Sequence, residues 1–126
     1  MTITLPLPHE HLSPNARCHW RVKAQATAKM RYWANMAAVA AMRDETNKQI
    51  VASMPFAEAT VKATFYFRTK ARRDKDNCAA SCKAVWDGFT DAGVWADDSG
   101  VVHLPVVIDY DKNDPRLVIE VMAVEA

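Results

Sequence analysis

The chain has 126 residues, half of them hydrophobic and a quarter charged, with a formal net charge of +1. That length fits one domain with apolar material enough for a core, and the composition excludes a disordered or low-complexity chain. Three cysteines (Cys18, Cys78 and Cys82) without a framework spacing argue against a secreted disulfide scaffold, and no run approaches the roughly 20 apolar residues of a membrane span, so the expected compartment is the cytoplasm.

The elements follow from periodicity. Thr2 to Leu7 alternates, with Ile3, Leu5 and Leu7 on one face, and predicts a short strand that Pro6 and Pro8 confine to an edge. Residues 8 to 22 read as a loop. Ser13-Pro14-Asn15 is a turn signal, and Arg17, Arg21 and Lys23 surround Trp20, a mixture suited to phosphate contact with base stacking. The plain alternative is a solvated loop whose Trp20 plugs the core. Lys23 to about Val51 predicts the main helix, with Ala26, Met30, Trp33, Ala34, Ala37 and Ala41 as its apolar stripe and a break near Asp44 to Asn47.

Ala59 to Thr69 is the clearest strand, Val61, Ala63, Phe65 and Phe67 alternating with polar neighbours. Asn77 to Thr90 predicts the second helix. Cys78, Cys82, Val85 and Phe89 form one buried stripe, Asp76 stands in the N-cap position and Gly93 in the C-cap position. Val101 to Tyr110 and Arg116 to Val124 predict two strands joined by the Asp111 to Pro115 loop as an antiparallel pair. The order is β-α-β-α-β-β. It implies an α+β fold, a four-stranded mixed sheet with two main helices packed against it, in a single domain over residues 1–126.

The near-neutral total hides an uneven distribution. From His11 to Arg43 there are six Lys or Arg and no acid; from Arg68 to Arg73 four of six residues are basic; six acids then fall between Asp74 and Asp98. A basic face beside an acidic pocket suits a metal site that meets a polyanion. In an extended segment Asp74 and Asp76 point the same way, and Asp97 or Asp98 arrives from the turn before the third strand. Clustered carboxylates call for a cation, and hard oxygen donors suit Mg²⁺, with Mn²⁺ able to substitute. Such an ion activates water and offsets charge on a phosphodiester. Lys83 is placed to reach over the site, and Arg72 and Arg73 to hold flanking phosphates. The plain readings are a helix cap for Asp76, a turn for Asp97-Asp98 and a solvated Lys83.

The run Arg72-Arg73-Asp74-Lys75-Asp76-Asn77, then Lys83, then Asp87-Gly88 through Gly93 to Asp97-Asp98, resembles the RusA family of Holliday junction resolvases. The opening Leu5-Pro6-Leu7-Pro8 with Ser13-Pro14-Asn15 is similar to that family's N-terminus. The resemblance implies a small homodimeric endonuclease, often carried by phages, that cuts four-way DNA junctions symmetrically with Mg²⁺. It implies that Asp74, Asp76 and Asp98 are the essential carboxylates, Asp97 an accessory ligand and Lys83 the catalytic lysine. Apart from the resemblance, the basic residues Lys70, Arg72, Arg73, Lys75, Arg17, Arg21 and Lys23 are the expected DNA contacts. Two departures stand out: three extra residues precede Lys83, and Lys75 replaces an apolar or small residue. Trp33 and other exposed apolar residues of the long helix are candidates for the dimer surface. The competing expectations are a branched-DNA binder on the same fold that does not cut, and a hydrolase of smaller phosphoesters such as nucleotides. The lack of a Gly-rich phosphate loop weighs against the latter.

Overall fold

The computed structural model describes residues 1–14 and 16–124, with the backbone alone described at His11. Asn15, the third residue of the expected Ser13-Pro14-Asn15 turn, lies outside the described residues. The elements are β1 (Thr2–Leu5), a 3-10 turn (Glu10–Leu12), α1 (Trp20–Asp44), α2 (Lys48–Ala52), β2 (Ala59–Phe67), α3 (Lys75–Ala80), α4 (Lys83–Ala92), a second 3-10 turn (Asp98–Gly100), β3 (Val101–His103), β4 (Val107–Tyr110) and β5 (Arg116–Ala123).

The α+β class and the mixed sheet are as expected, with five strands in place of four. β2 is central. It pairs antiparallel with β5, which carries β1 on its far side, and parallel with β3 and then β4 on the other side. The expected single strand from Val101 to Tyr110 is interrupted at Leu104-Pro105-Val106. Pro105 has no N–H to give the ladder, so β3 covers the first part of β2 and β4 the last. The expected antiparallel hairpin with the last strand does not form. β4 and β5 instead flank β2 on opposite sides, so the Asp111 to Pro115 loop crosses over the end of β2. Arg116 anchors that loop, donating to Asp111 Oδ2 at 2.8 Å and to the Asp114 carbonyl at 2.8 Å.

Alternation decides which face of the sheet is covered. Ala59, Val61, Ala63 and Phe65 of β2, Leu117, Ile119 and Val121 of β5, and Ile3 and Leu5 of β1 are all buried beneath the helices. The residues between them, such as Lys62 opposite Glu120, lie on the other face. α1 starts three residues before the expected Lys23, capped by His19, whose Nδ1 accepts the Arg21 N–H at 3.1 Å. It ends at Asp44, and α2 restarts after Asn47, as the polar cluster there implied. The stripe that reaches the core is Met30, Ala34 and Ala38, with Ala26, Ala37 and Ala41 at its margins, whereas Trp33 is 40% exposed. Small residues at the centre let α1 close on α4, where a Cβ on Gly88 would collide with the Arg31 carbonyl and lie 2.6 Å from the Ala34 Cβ. A forked ion pair fastens the same crossing: Arg31 Nε and Nη2 donate to Asp91 at 2.6 and 2.8 Å. That pair raises the Arg31 pKa and lowers that of Asp91, the hydrogen bond being the main cause of both.

The expected second helix is two helices. α3 ends at Ala80 and α4 starts at Lys83, with Ser81 and Cys82 turning the chain through tighter Cys82 N–H to Ala79 carbonyl bonding at 3.1 Å. The predicted stripe of Cys78, Cys82, Val85 and Phe89 is buried across that joint. Burial pushes the Cys82 thiol up to about 12, and raises Cys78 as well. The two are therefore inert core groups. With iodoacetamide at about pH 8, labelling is expected at half-buried Cys18 alone, with Cys78 and Cys82 reacting only in denaturant. Peptide mass mapping checks this, and prompt native labelling of Cys82 would refute the buried stripe.

Candidate active site

The two acidic pairs are held by different local devices. β2 delivers the chain to a loop closed by Arg73, whose Nη1 donates to the Thr69 and Ala71 carbonyls at 2.8 and 2.9 Å while its guanidinium lies 3.8 Å from the Phe67 ring centre. Asp74 then caps α3. Its Oδ1 accepts the backbone N–H groups of Asp76 at 2.8 Å and Asn77 at 3.2 Å, satisfying donors that a helix start leaves open. The cap is thus Asp74 and not Asp76. Because the helix begins at Lys75, Asp74 and Asp76 are not the alternate side chains of an extended segment. They are the cap and the second residue of one helical turn, tied through the Asp74 Oδ1 to Asp76 N–H bond. Asp74, Lys75 and Asp76 are all exposed.

The second pair is set by the end of α4. Gly93, at φ +84°, turns the chain in the left-handed region that glycine tolerates, and the Val94 N–H closes on the Phe89 carbonyl at 3.1 Å. Val94 and Trp95 are then buried, the Trp95 indole donating to Thr90 Oγ1 at 2.7 Å. With these anchors fixed, Asp97 and Asp98 emerge at the surface immediately before β3. Asp97 caps the short 3-10 turn, accepting the Ser99 N–H at 3.3 Å. That bond, followed by shared hydrogen bonding with Asp98, holds the Asp97 carboxyl below the usual range. Asp98 acts instead on His103 at the end of β3: its charge opposes the burial that lowers the His103 pKa.

Among the described residues, no three of His, Cys, Asp and Glu gather into a group that would hold a metal ion. The aspartates stand as two pairs, one at the head of α3 and one before β3. Their chemistry is that of hard oxygen donors at the surface, the Asp74 cap bonds fall on Oδ1 alone, and this donor type fits Mg²⁺ or Mn²⁺. Lys83 is exposed at the first position of α4, not inside one helix that begins at Asn77. Ala80 and Trp86, three residues to either side of it, line a trough of about 270 Å³ together with His103. The Trp86 and His103 rings are 4.9 Å apart there.

Residues outside the expected set also border the site. Glu10, Ser13 and Asn77 line a crevice of about 210 Å³ with Arg73 and Asp74. Ser13 belongs to the expected turn signal, so its motif was visible, but its approach to Asp74 depends on the fold. His103 carried no signal beyond its place five residues after Asp98. Of the basic residues, Arg72, Lys70, Arg17, Arg21 and Lys23 are exposed, Lys70 lying 5.2 Å from the Tyr110 ring centre and Arg21 5.4 Å from that of Trp20. Trp20 is 69% exposed, so it does not plug the core. Arg73 is half-buried and ties its own loop together.

A family model described as Endodeoxyribonuclease RusA matches residues 11–122, a span that holds both acidic pairs and Lys83. The chain belongs to the RusA family. It is therefore an endonuclease-type protein that acts on DNA. A Xylella fastidiosa protein, described only as uncharacterized, is 29% identical to it over 123 residues, covering 98% of this chain and 76% of that one. No helix among the described residues is long and apolar enough to cross a membrane.

Proposed function

We propose that this RusA-family chain is a Mg²⁺-dependent, structure-selective endonuclease that resolves four-way DNA junctions by paired symmetric cleavage. The observation that carries this reading is the Asp74–Asp76 head of α3, two exposed aspartates in one turn where the Asp74 carboxylate accepts the Asp76 backbone N–H, within a chain of the RusA family. Asp74, Asp76 and Asp98 would hold the ion, with Asp97 as an accessory ligand and Mn²⁺ able to substitute. A bound ion would supply an activated water and offset charge on the phosphodiester. Lys83 would set its ammonium against the same phosphate. Lys70, Arg72, Lys75, Arg17, Arg21 and Lys23 would contact phosphates along the arms, a role that needs exposed cations. Arg73 would add its charge from within the loop that it closes. Two strands must be cut at symmetric positions, so the working form would be a two-fold homodimer acting on cytoplasmic DNA.

An immobile labelled four-way junction and a matched linear duplex, each with Mg²⁺, Mn²⁺ or EDTA, test the reading. Paired nicks at symmetric positions on the junction alone, absent in EDTA, are expected. Tight junction binding without nicks under either metal would overturn it in favour of a branched-DNA binder that does not cut.

A further inference from the structure

The N-terminal half of α1 carries a surface that the fold does not use. A groove of about 660 Å³ opens between the residues that leave β1 and this part of α1, its walls including Leu7, Val22, Ala26, Lys29, Met30 and Trp33. None of the described lining residues is acidic, and α1 has no acid from Trp20 to Arg43. Three large rings stand out from this helix: Trp20 is 69% exposed, Tyr32 62% and Trp33 40%. Cations ride on two of them, Arg21 at 5.4 Å from the Trp20 ring centre and Lys29 at 5.4 Å from that of Trp33. The groove also has a direction. His9 lines both it and the crevice that contains Asp74, so the two cavities adjoin along one edge.

We propose that this groove binds an unpaired DNA strand running toward the Asp74 crevice, so that the preferred substrates are branched DNAs with a single-stranded segment beside the branch. The assignment rests on the nuclease reading above and specifies its substrate. The apolar walls and the Trp33 ring stack on base faces, which a duplex keeps stacked internally and a single strand presents. Lys29, which lines the groove, supplies counter-charge for its phosphates, with Arg21 and Lys23 exposed nearby on the same helix. A second copy of the chain fits less well. A two-fold contact through this face would oppose two acid-free helices and strand their cations without partners.

The test uses the whole chain and a four-way junction with one arm either blunt or ending in a dT tail of about 12 nucleotides, a length that covers one such site. Anisotropy is expected to show the tail tightening binding by about tenfold, with tryptophan fluorescence quenched by the free dT oligonucleotide. Trp33→Ala and Lys29→Gln should each remove most of that gain, with thermal melts confirming that both fold. If the blunt junction is bound and cut but the tail adds nothing, the groove assignment falls and the nuclease reading stands. If the tailed DNA is preferred but neither form is cut with any metal, the groove assignment holds and the nuclease reading fails. Conversion of a dimer to a monomer by Trp33→Ala, with the tail's gain intact, would overturn the assignment in favour of a contact between copies.

Discussion

Asp76→Asn and Asp74→Asn are each expected to lower junction cleavage by on the order of 100- to 1,000-fold while junction affinity stays within about threefold. Both changes remove a negative charge and a hard metal donor. Neither should disturb the fold. The Asp76 carboxylate has no part in the cap; only its backbone N–H does. At position 74 a single oxygen accepts both helix-starting N–H groups, and an asparagine carbonyl can do the same. Asp74→Ala separates the two roles. It should lose cleavage to the same degree and also about 1 kcal/mol of stability with the cap, lowering Tm by roughly 3–6 °C. Single-turnover cleavage in Mg²⁺, gel shifts in EDTA and thermal melts provide the three readouts. Cleavage at the wild-type rate by either asparagine variant would remove the α3 head from the active site.

Gly88→Ala is expected to destabilise the chain by about 2 kcal/mol or more, a Tm loss on the order of 10 °C. Alanine is intrinsically the better helix residue by about 1 kcal/mol, so helix propensity alone predicts the opposite sign. Packing decides it. The new methyl would overlap the Arg31 carbonyl, lie 2.6 Å from the Ala34 Cβ and 3.0 Å from the Asn35 nitrogen, and these are backbone and core atoms that cannot swing aside. α1 and α4 would have to separate, weakening the forked Arg31–Asp91 pair that spans them. Gly93→Ala gives the contrast. A Cβ there meets nothing within 4 Å, and the cost is confined to the positive φ, about 1 kcal/mol. Denaturant melts of the two variants should rank Gly88 as clearly the worse, and an equal or stabilised Gly88→Ala would mean that the helices do not cross so closely.

Much of this was legible in the chain itself. Alternation along Ala59–Phe67 fixed a half-covered strand, because a period of two puts every second residue on one face whatever the neighbours are. The stripe through Cys78, Cys82, Val85 and Phe89 announced a buried helical face for the same reason at a period near 3.6, and the polar run after Asp44 announced the break that separates α1 from α2. The candidate residues were visible too, since Asp-x-Asp and Asp-Asp are local patterns and the family resemblance rests on their order and spacing.

Pairing and packing lay beyond local pattern. Val107–Tyr110 looks like the partner of the strand that follows it, yet β2 can bond on both sides, and it takes β4 on one and β5 on the other. A two-residue difference in where α3 begins, Lys75 in place of Asn77, turned Asp74 from an extended neighbour of Asp76 into the helix cap, because capping is set by which backbone N–H groups a helix leaves open. Trp33 fits the α1 stripe by spacing, but α4 approaches at Ala34, where Gly88 offers no side chain, and that choice of contact leaves Trp33 at the surface. The sequence alone determined the α+β class, the main strand and long helix, the family resemblance and the chemical character of the aspartates. Only the tertiary structure decided which strand bonds to which, which carboxylate caps, and which apolar face remains open, because each depends on groups far apart in the chain meeting in space.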